Sequence, residues 1–208
     1  MQYNLFKSAL KDFTIFSLND IKQVDPRFHR RRLNEWQIKG YIKKVIKGYY
    51  IFSDLELNEN ILFEIANKIY SPSYVSFEMA LSYYDLIPES VYGITSASTR
   101  RTYNFKTSQA EFKYRTIKPQ LHFGYEIIRY NDKSFKIASL EKAILDFFYI
   151  NTHLKTYGDF GSLRFNKDVF FQNIKRKKLS AFCRKFFQKT LTYRINSFME
   201  FMTSEIKE

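Results

Sequence analysis

The sequence holds one cysteine, Cys183, so no disulfide can close within the chain, and its three histidines, at 29, 122 and 153, have no zinc-ligand spacing. Proline (4) and glycine (6) are scarce as well, which favours regular elements with short connections over long loops. No apolar run approaches the ~20 residues of a membrane-spanning helix. The opening residues, MQYNLFKSALKDF, lack the basic start and small-residue cleavage site of a secretion signal, so a cytoplasmic protein without a membrane role is expected. There is neither a G-x-S-x-G turn nor a Gly-rich phosphate loop, and Cys183 has no histidine near it in sequence. Nucleophilic catalysis and nucleotide-triphosphate chemistry therefore have no motif here, and no cofactor is called for.

What the chain has in quantity is aromatic and basic side chains: 16 Tyr, 22 Phe, and 34 Lys+Arg against 21 Asp+Glu. The 45% apolar content suffices for a packed core in 208 residues. The positive excess is local. Residues 22–48 carry nine basic and two acidic side chains, and 164–208 carry eleven and four, whereas 49–163 carry twelve and thirteen. Two basic regions flank a neutral middle, a distribution suited to a polyanionic partner.

The first basic region is organised. QYNLFKSALKDF suits a short helix and TIFS a short strand, and Ser17 with Asp20 has the S-x-x-D form that starts a second helix. Asp25-Pro26 offers an N-cap followed by a proline at the first helical position, predicting a third helix from Pro26 to about Lys39, with Gly40 as its C-terminal cap. At 100° per residue, Phe28, Leu33 and Trp36 share a packing arc, and Arg27, Arg30, Arg31 and Asn34 share the opposite one. YIKKVI and YYIF then read as a hairpin turning at Lys47-Gly48. Helix, strand, two helices and hairpin is the order of a winged helix-turn-helix. In that fold Arg27, Arg30, Arg31 and Asn34 are candidates to reach base edges and phosphates, and Lys43, Lys44 and Lys47 are wing residues placed to grip the neighbouring backbone of double-stranded DNA.

The expected fold class is α+β, with the winged helix-turn-helix in residues 1–54 and a second domain in 55–208. In the latter, Asn58 caps a helix, Ser76 caps another through Tyr84, and VYGITSAS, RRTYNF, AEFKYRTI and LHFGYEIIRY form a small, mostly antiparallel sheet. Ser139 opens an apolar helix on which Glu141 and Lys142 are expected to face solvent. Arg100 and Arg101, between two strands, suit a phosphate or an acidic partner, or a plain hairpin tip. Beyond about 153, basic helices over roughly 167–178 and 180–203 are expected to pack their aromatic faces on the sheet domain. Stacking of those aromatics on single-stranded nucleic acid is the less ordinary alternative.

Three ordered stretches invite a family comparison: VSFEMALSYYDLIPE from Val75, the Thr99-Arg100-Arg101 turn, and ASLEKAILD from Ala138 to Asp146. Together with the winged-helix segment they resemble the AbiEi family of antitoxins, from type IV toxin–antitoxin (abortive infection) systems, over about residues 10–152. The resemblance implies a transcriptional repressor that binds inverted repeats in its own promoter through the winged helix. It also implies neutralisation of a nucleotidyltransferase-like toxin through the second domain, in phage defence, without direct toxin binding being required and without enzymatic activity. The competing readings are a metal-dependent nuclease using Glu89, Glu111 and Lys113, and a protein-interaction module that does not bind DNA specifically. The nuclease pattern is weak, since E-x-K is common by chance and no third acid is evident.

Overall fold

The computed structural model describes residues 2–88, 93–108 and 110–204. The first elements are α1 (Tyr3–Ala9), β1 (Phe16–Ser17), α2 (Leu18–Val24), α3 (Arg31–Ile38), β2 (Ile42–Ile46) and β3 (Tyr49–Phe52), the order expected from the sequence. Ser17 and Asp20 make a reciprocal capping box on α2: Asp20 N donates to Ser17 Oγ at 3.3 Å, and Ser17 N donates to Asp20 Oδ2 at 2.7 Å.

Helix α3 begins five residues later than expected. The Asp25 carboxylate accepts from the Arg27 amide at 3.1 Å, and Phe28 N donates to Asp25 O at 2.9 Å. Asp-Pro thus builds an Asx-stabilised turn with proline at its second position, the local alternative that this residue pair also favours. Arg30 occupies the N-cap with no side-chain hydrogen bond, and Arg27 lies in the turn, outside the helix. The C-terminus follows expectation. Gly40, at φ +70°, lets Tyr41 N reach Trp36 O (2.9 Å) and Gly40 N reach Gln37 O (3.0 Å), a Schellman closure.

Strands β1, β3 and β2 form an antiparallel sheet in that order, with Gly48 at φ +93° in the β2–β3 turn. Phe6 is the centre of the core beneath it, with ring centroids 4.4 Å from Trp36, 5.4 Å from Phe16 and 5.6 Å from Phe52. Burying each such ring contributes about 1.5–3 kcal/mol. The packing arc of α3, Leu33 and Trp36, is buried here with Phe28.

The second region contains α4 (Glu59–Ile69), β4 (Ser73–Val75), α5 (Phe77–Tyr83), β5 (Ile94–Ser98), β6 (Tyr103–Lys106), β7 (Glu111–Thr116), β8 (Tyr125–Tyr130) and β9 (Lys133–Ala138). It continues with α6 (Leu140–Ile150), α7 (Tyr157–Ser162), α8 (Lys167–Asn173), α9 (Arg176–Lys185) and α10 (Lys189–Ser204). The six strands run in the order β6-β7-β5-β4-β9-β8. Three neighbouring pairs are antiparallel, while β4/β9 and β5/β7 are parallel. The fold is α+β, as expected, with a mixed sheet. Because β7 inserts between β5 and β6, the Arg100-Arg101 segment is a crossing and not a hairpin tip. The two C-terminal helices expected after 165 are three, broken at Ile174-Lys175 and at Phe186–Gln188, where Phe187 has φ +51°.

Helix α6 corrects another expectation. It packs against α5 on one side and against α9 and α10 on the other. Glu141 and Lys142 are therefore buried, not solvent-facing, as is Asp146. Lys142 Nζ pairs with Asp146 Oδ1 and donates to the Tyr74 hydroxyl at 2.9 Å. Asp146 Oδ2 accepts from the hydroxyls of Tyr74 (2.9 Å) and Ser76 (2.8 Å). Glu141 accepts from Lys178 Nζ at 2.9 Å and from the Lys175 amide at 3.1 Å. With its hydroxyl committed to Asp146, Ser76 sits at the N-cap of α5 without capping it. Thr95 of β5 does so instead, accepting from Met79 N at 3.1 Å.

One carboxylate ties the two regions together. Glu64 of α4 is buried and accepts from Thr14 Oγ1 at 2.6 Å and from the Tyr130 hydroxyl, with Lys68 Nζ 3.6 Å away.

Candidate nucleic-acid interface

The exposed side of α3 and the adjoining hairpin enclose an open depression of about 390 Å³, lined by Arg30, Arg31, Asn34, Gln37, Lys44 and Tyr50. The cap at Ser17, the Phe6-centred core and the Gly40 closure fix α3 against the sheet, and the antiparallel register sets Lys44 opposite Tyr50. Four of the expected residues, Arg30, Arg31, Asn34 and Lys44, are thereby brought to one surface. Three are not. Arg27 stands in the turn before α3, Lys43, on the other side of the strand from Lys44, donates to Ser53 O at 3.3 Å, and Lys47 is exposed at the hairpin turn.

Gln37 and Tyr50 were not anticipated. Gln37 lies three residues after Asn34 and seven after Arg30, so helical spacing alone places it on the same face. It donates to Leu33 O at 3.0 Å, and Asn34 Oδ1 lies 3.5 Å from its amide nitrogen. Tyr50 is buried apart from its edge in the depression and depends on the strand register, which is shifted by a bulge between Lys44 and Ile46. No sequence period encodes that shift.

Chemically the surface carries three cations, two carboxamides and no carboxylate among its lining residues. Arg31 has Glu35 at 3.6 Å, but both side chains are well exposed, so this weak pair leaves the guanidinium available. Arginine forks and carboxamides are the groups that match base edges in a major groove.

Of the other expected contacts, Arg100 is engaged within the fold: it lays its guanidinium 4.2 Å from the Tyr70 ring centre and donates to Ser71 O at 3.3 Å. The Arg101 side chain is exposed, its backbone carbonyl accepting from the Tyr70 hydroxyl at 2.7 Å. Of the nuclease candidates, Glu111 and Lys113 pair with each other on β7 at 3.3 Å, and Glu89 lies outside the described residues. Among the described residues no three His, Cys, Asp or Glu side chains converge as metal ligands, and no helix is long and apolar enough to cross a membrane. No family model matches the chain, and no curated protein is recognisably similar to it.

Proposed function

We propose that the protein is a DNA-binding regulator that uses residues 1–54 as a winged helix-turn-helix, with α3 in the major groove of double-stranded DNA and the β2–β3 hairpin as the wing. The observation that carries this reading is the single depression in which Arg30, Arg31, Asn34 and Gln37 of α3 meet Lys44 of the hairpin. Arg31 and Asn34 are the base-reading candidates, while Arg30, Lys44 and Lys47 hold phosphates. The resemblance of the Val75–Glu89, Thr99–Arg101 and Ala138–Asp146 stretches to AbiEi antitoxins supplies the biological setting. In that setting the protein binds inverted repeats in its own promoter and silences a toxin–antitoxin operon. Its second region neutralises a nucleotidyltransferase-like toxin in the cytoplasm.

A gel-shift titration with DNA from upstream of the gene tests the first half. The wild-type chain is expected to bind a fragment with inverted repeats in preference to a scrambled one, with affinity falling steeply as salt rises. The Arg30→Ala/Arg31→Ala/Lys44→Ala chain should lose that preference, the base-reading Arg31 alone being worth ~1–3 kcal/mol. Equal affinity of the two chains for the operator removes the assignment. Co-expression with a neighbouring nucleotidyltransferase tests the second half: the same triple variant, supplied from a separate promoter, should still restore growth.

A further inference from the structure

Most of the C-terminal aromatic side chains are core. Phe165, Phe170, Phe186, Phe198 and Phe201 are buried, which is the packing role expected of them. Two stand furthest out: Phe187 is 91% exposed and Tyr193 72% exposed. Phe187 is held outward by a backbone at φ +51°, a left-handed conformation that a bulky residue rarely adopts and that costs of order 1–3 kcal/mol. The left-handed turn ends α9, but the fold does not need a large apolar ring presented to water there.

Beside this turn lies the open groove between the end of α6 and the start of α10. Its volume is about 530 Å³, and Thr152, Lys155, Lys189, Thr190, Tyr193 and Arg194 line it. Arg194 forms the wall. Buried, it donates from Nη1 to Phe148 O (2.8 Å) and Asn151 O (3.0 Å) and so pins α10 to the end of α6. Lys155 and Lys189 are exposed on either side. The two stretches that line the groove, 152–155 and 189–194, contain no Asp or Glu and hold three Lys+Arg, while Asp159 accepts from the Lys155 amide at 2.9 Å. One helical turn separates Lys189 from Tyr193, about 6 Å along α10.

We propose that this groove and the Phe187 turn form a binding surface for single-stranded nucleic acid, separate from the α3 depression. Lys155 and Lys189 neutralise successive phosphates, Thr152 and Thr190 hydroxyls donate to phosphate or sugar oxygens, and the rings of Phe187 and Tyr193 stack on bases. The exposed rings decide between polyanions. A duplex keeps its base faces inside its own stack, and an acidic protein has no flat π-surface to offer, whereas every unpaired base has one.

The test uses the full chain with Arg30, Arg31 and Lys44 replaced by alanine, so that the α3 depression loses its lining cations, and follows fluorescence anisotropy of a labelled strand of about 12 nucleotides. This parent is expected to bind the single strand roughly tenfold or more tighter than the same sequence as a duplex. Adding Phe187→Ala and Tyr193→Ala should weaken binding by roughly tenfold or more, and Tyr193→Phe, which keeps the ring, should not. Lys155→Ala with Lys189→Ala should flatten the slope of log affinity against log salt by about 1.4, the value for two phosphates on a single strand. Both rings are exposed, so these chains should melt like the parent. Equal binding of duplex and single strand overturns the proposal, as does unchanged affinity without the rings or equally effective competition by polyglutamate. None of these outcomes depends on whether α3 reads DNA.

Discussion

In α3, Arg31 and Glu35 stand one turn apart in solvent with 3.6 Å between their charged atoms; in α6, Lys142 and Asp146 have the same i,i+4 spacing and both are 0% exposed. On paper the pairs are equivalent. The exposed pair is worth about 0.3–0.5 kcal/mol and leaves Arg31 free to exchange its partner. The buried pair is dear to separate, because either ion left alone keeps its desolvation cost without its counter-ion. What differs is the surroundings: α3 has one covered face, while α6 lies between α5 and the C-terminal helices. Spacing makes two charges neighbours, and packing decides whether they serve a partner or the fold.

The strongest way to break this comparison is to remove one member of each pair. Asp146→Ala should cost about 3–5 kcal/mol of stability, because Lys142, Tyr74 and Ser76 all lose their acceptor. Glu35→Ala should stay within about 0.5 kcal/mol. Urea denaturation of the two chains checks this. The double change Lys142→Met/Asp146→Leu should recover much of the loss, as apolar replacement of a buried pair often does. An Asp146→Ala chain as stable as wild type would show that the α6 pair contributes no more than the one on α3.

Much of the exposed side was legible beforehand, and the reason is geometric. Arg30, Arg31 and Asn34 share a face by helical period alone, Gly40 and Gly48 announce their turns, and the Ser17–Asp20 box needs four residues of context. The misreadings needed information from afar. Asp25-Pro26 fits a helix start and an Asx turn equally well, and the turn excluded Arg27 from α3. Lys142 reads as a surface lysine until Tyr74, distant in sequence, is seen to lie beneath it. Yet α6 carried a clue. Leu140, Ala143, Ile144, Leu145, Phe147 and Phe148 spread over more than half of its circumference, wider than the ~100° stripe of a helix that covers one core face. The parallel pairs of the sheet were likewise hidden, since β9 begins in a stretch whose strongest local signal was the helix after it.

A second contrast is in pH response. The surroundings of α6 hold groups that titrate differently when folded. Burial lowers the His122 pKa from 6.5, and Lys136 and Lys142 lower it further against its own backbone hydrogen bond and Asp146; Nε2 has no hydrogen-bond partner. Burial opposes ionisation of Glu141, but Lys178 and the Lys175 amide outweigh it and hold its pKa below 4.5. Both signs favour loss in acid. Below pH 6.5 the unfolded His122 takes up a proton before the folded one does, and below pH 4.5 the unfolded Glu141 does the same, so unfolding gains at each step. Urea midpoints should therefore fall as pH drops from about 7 through 6 and fall again below pH 4.5. His122→Gln should remove the first fall alone. A wild-type midpoint unchanged between pH 7.5 and 5 would leave His122 without this role.

The smallest effect separates two neighbours in sequence. Lys43 and Lys44 point to opposite sides of β2: Lys43 donates to Ser53 O at 3.3 Å, and Lys44 lines the depression with Arg30 and Arg31. If position along the chain governed DNA binding, the two would be interchangeable. If the surface built by α3 and the hairpin governs it, Lys44→Ala should lower operator affinity severalfold and reduce the salt slope by about 0.9, the value for one duplex phosphate. Lys43→Ala should change neither by more than the error of the titration. Sequence preference should survive both changes, because a point charge on a phosphate carries no base information. A larger loss from Lys43→Ala than from Lys44→Ala would move the contact to the opposite side of the wing and with it the path of the DNA.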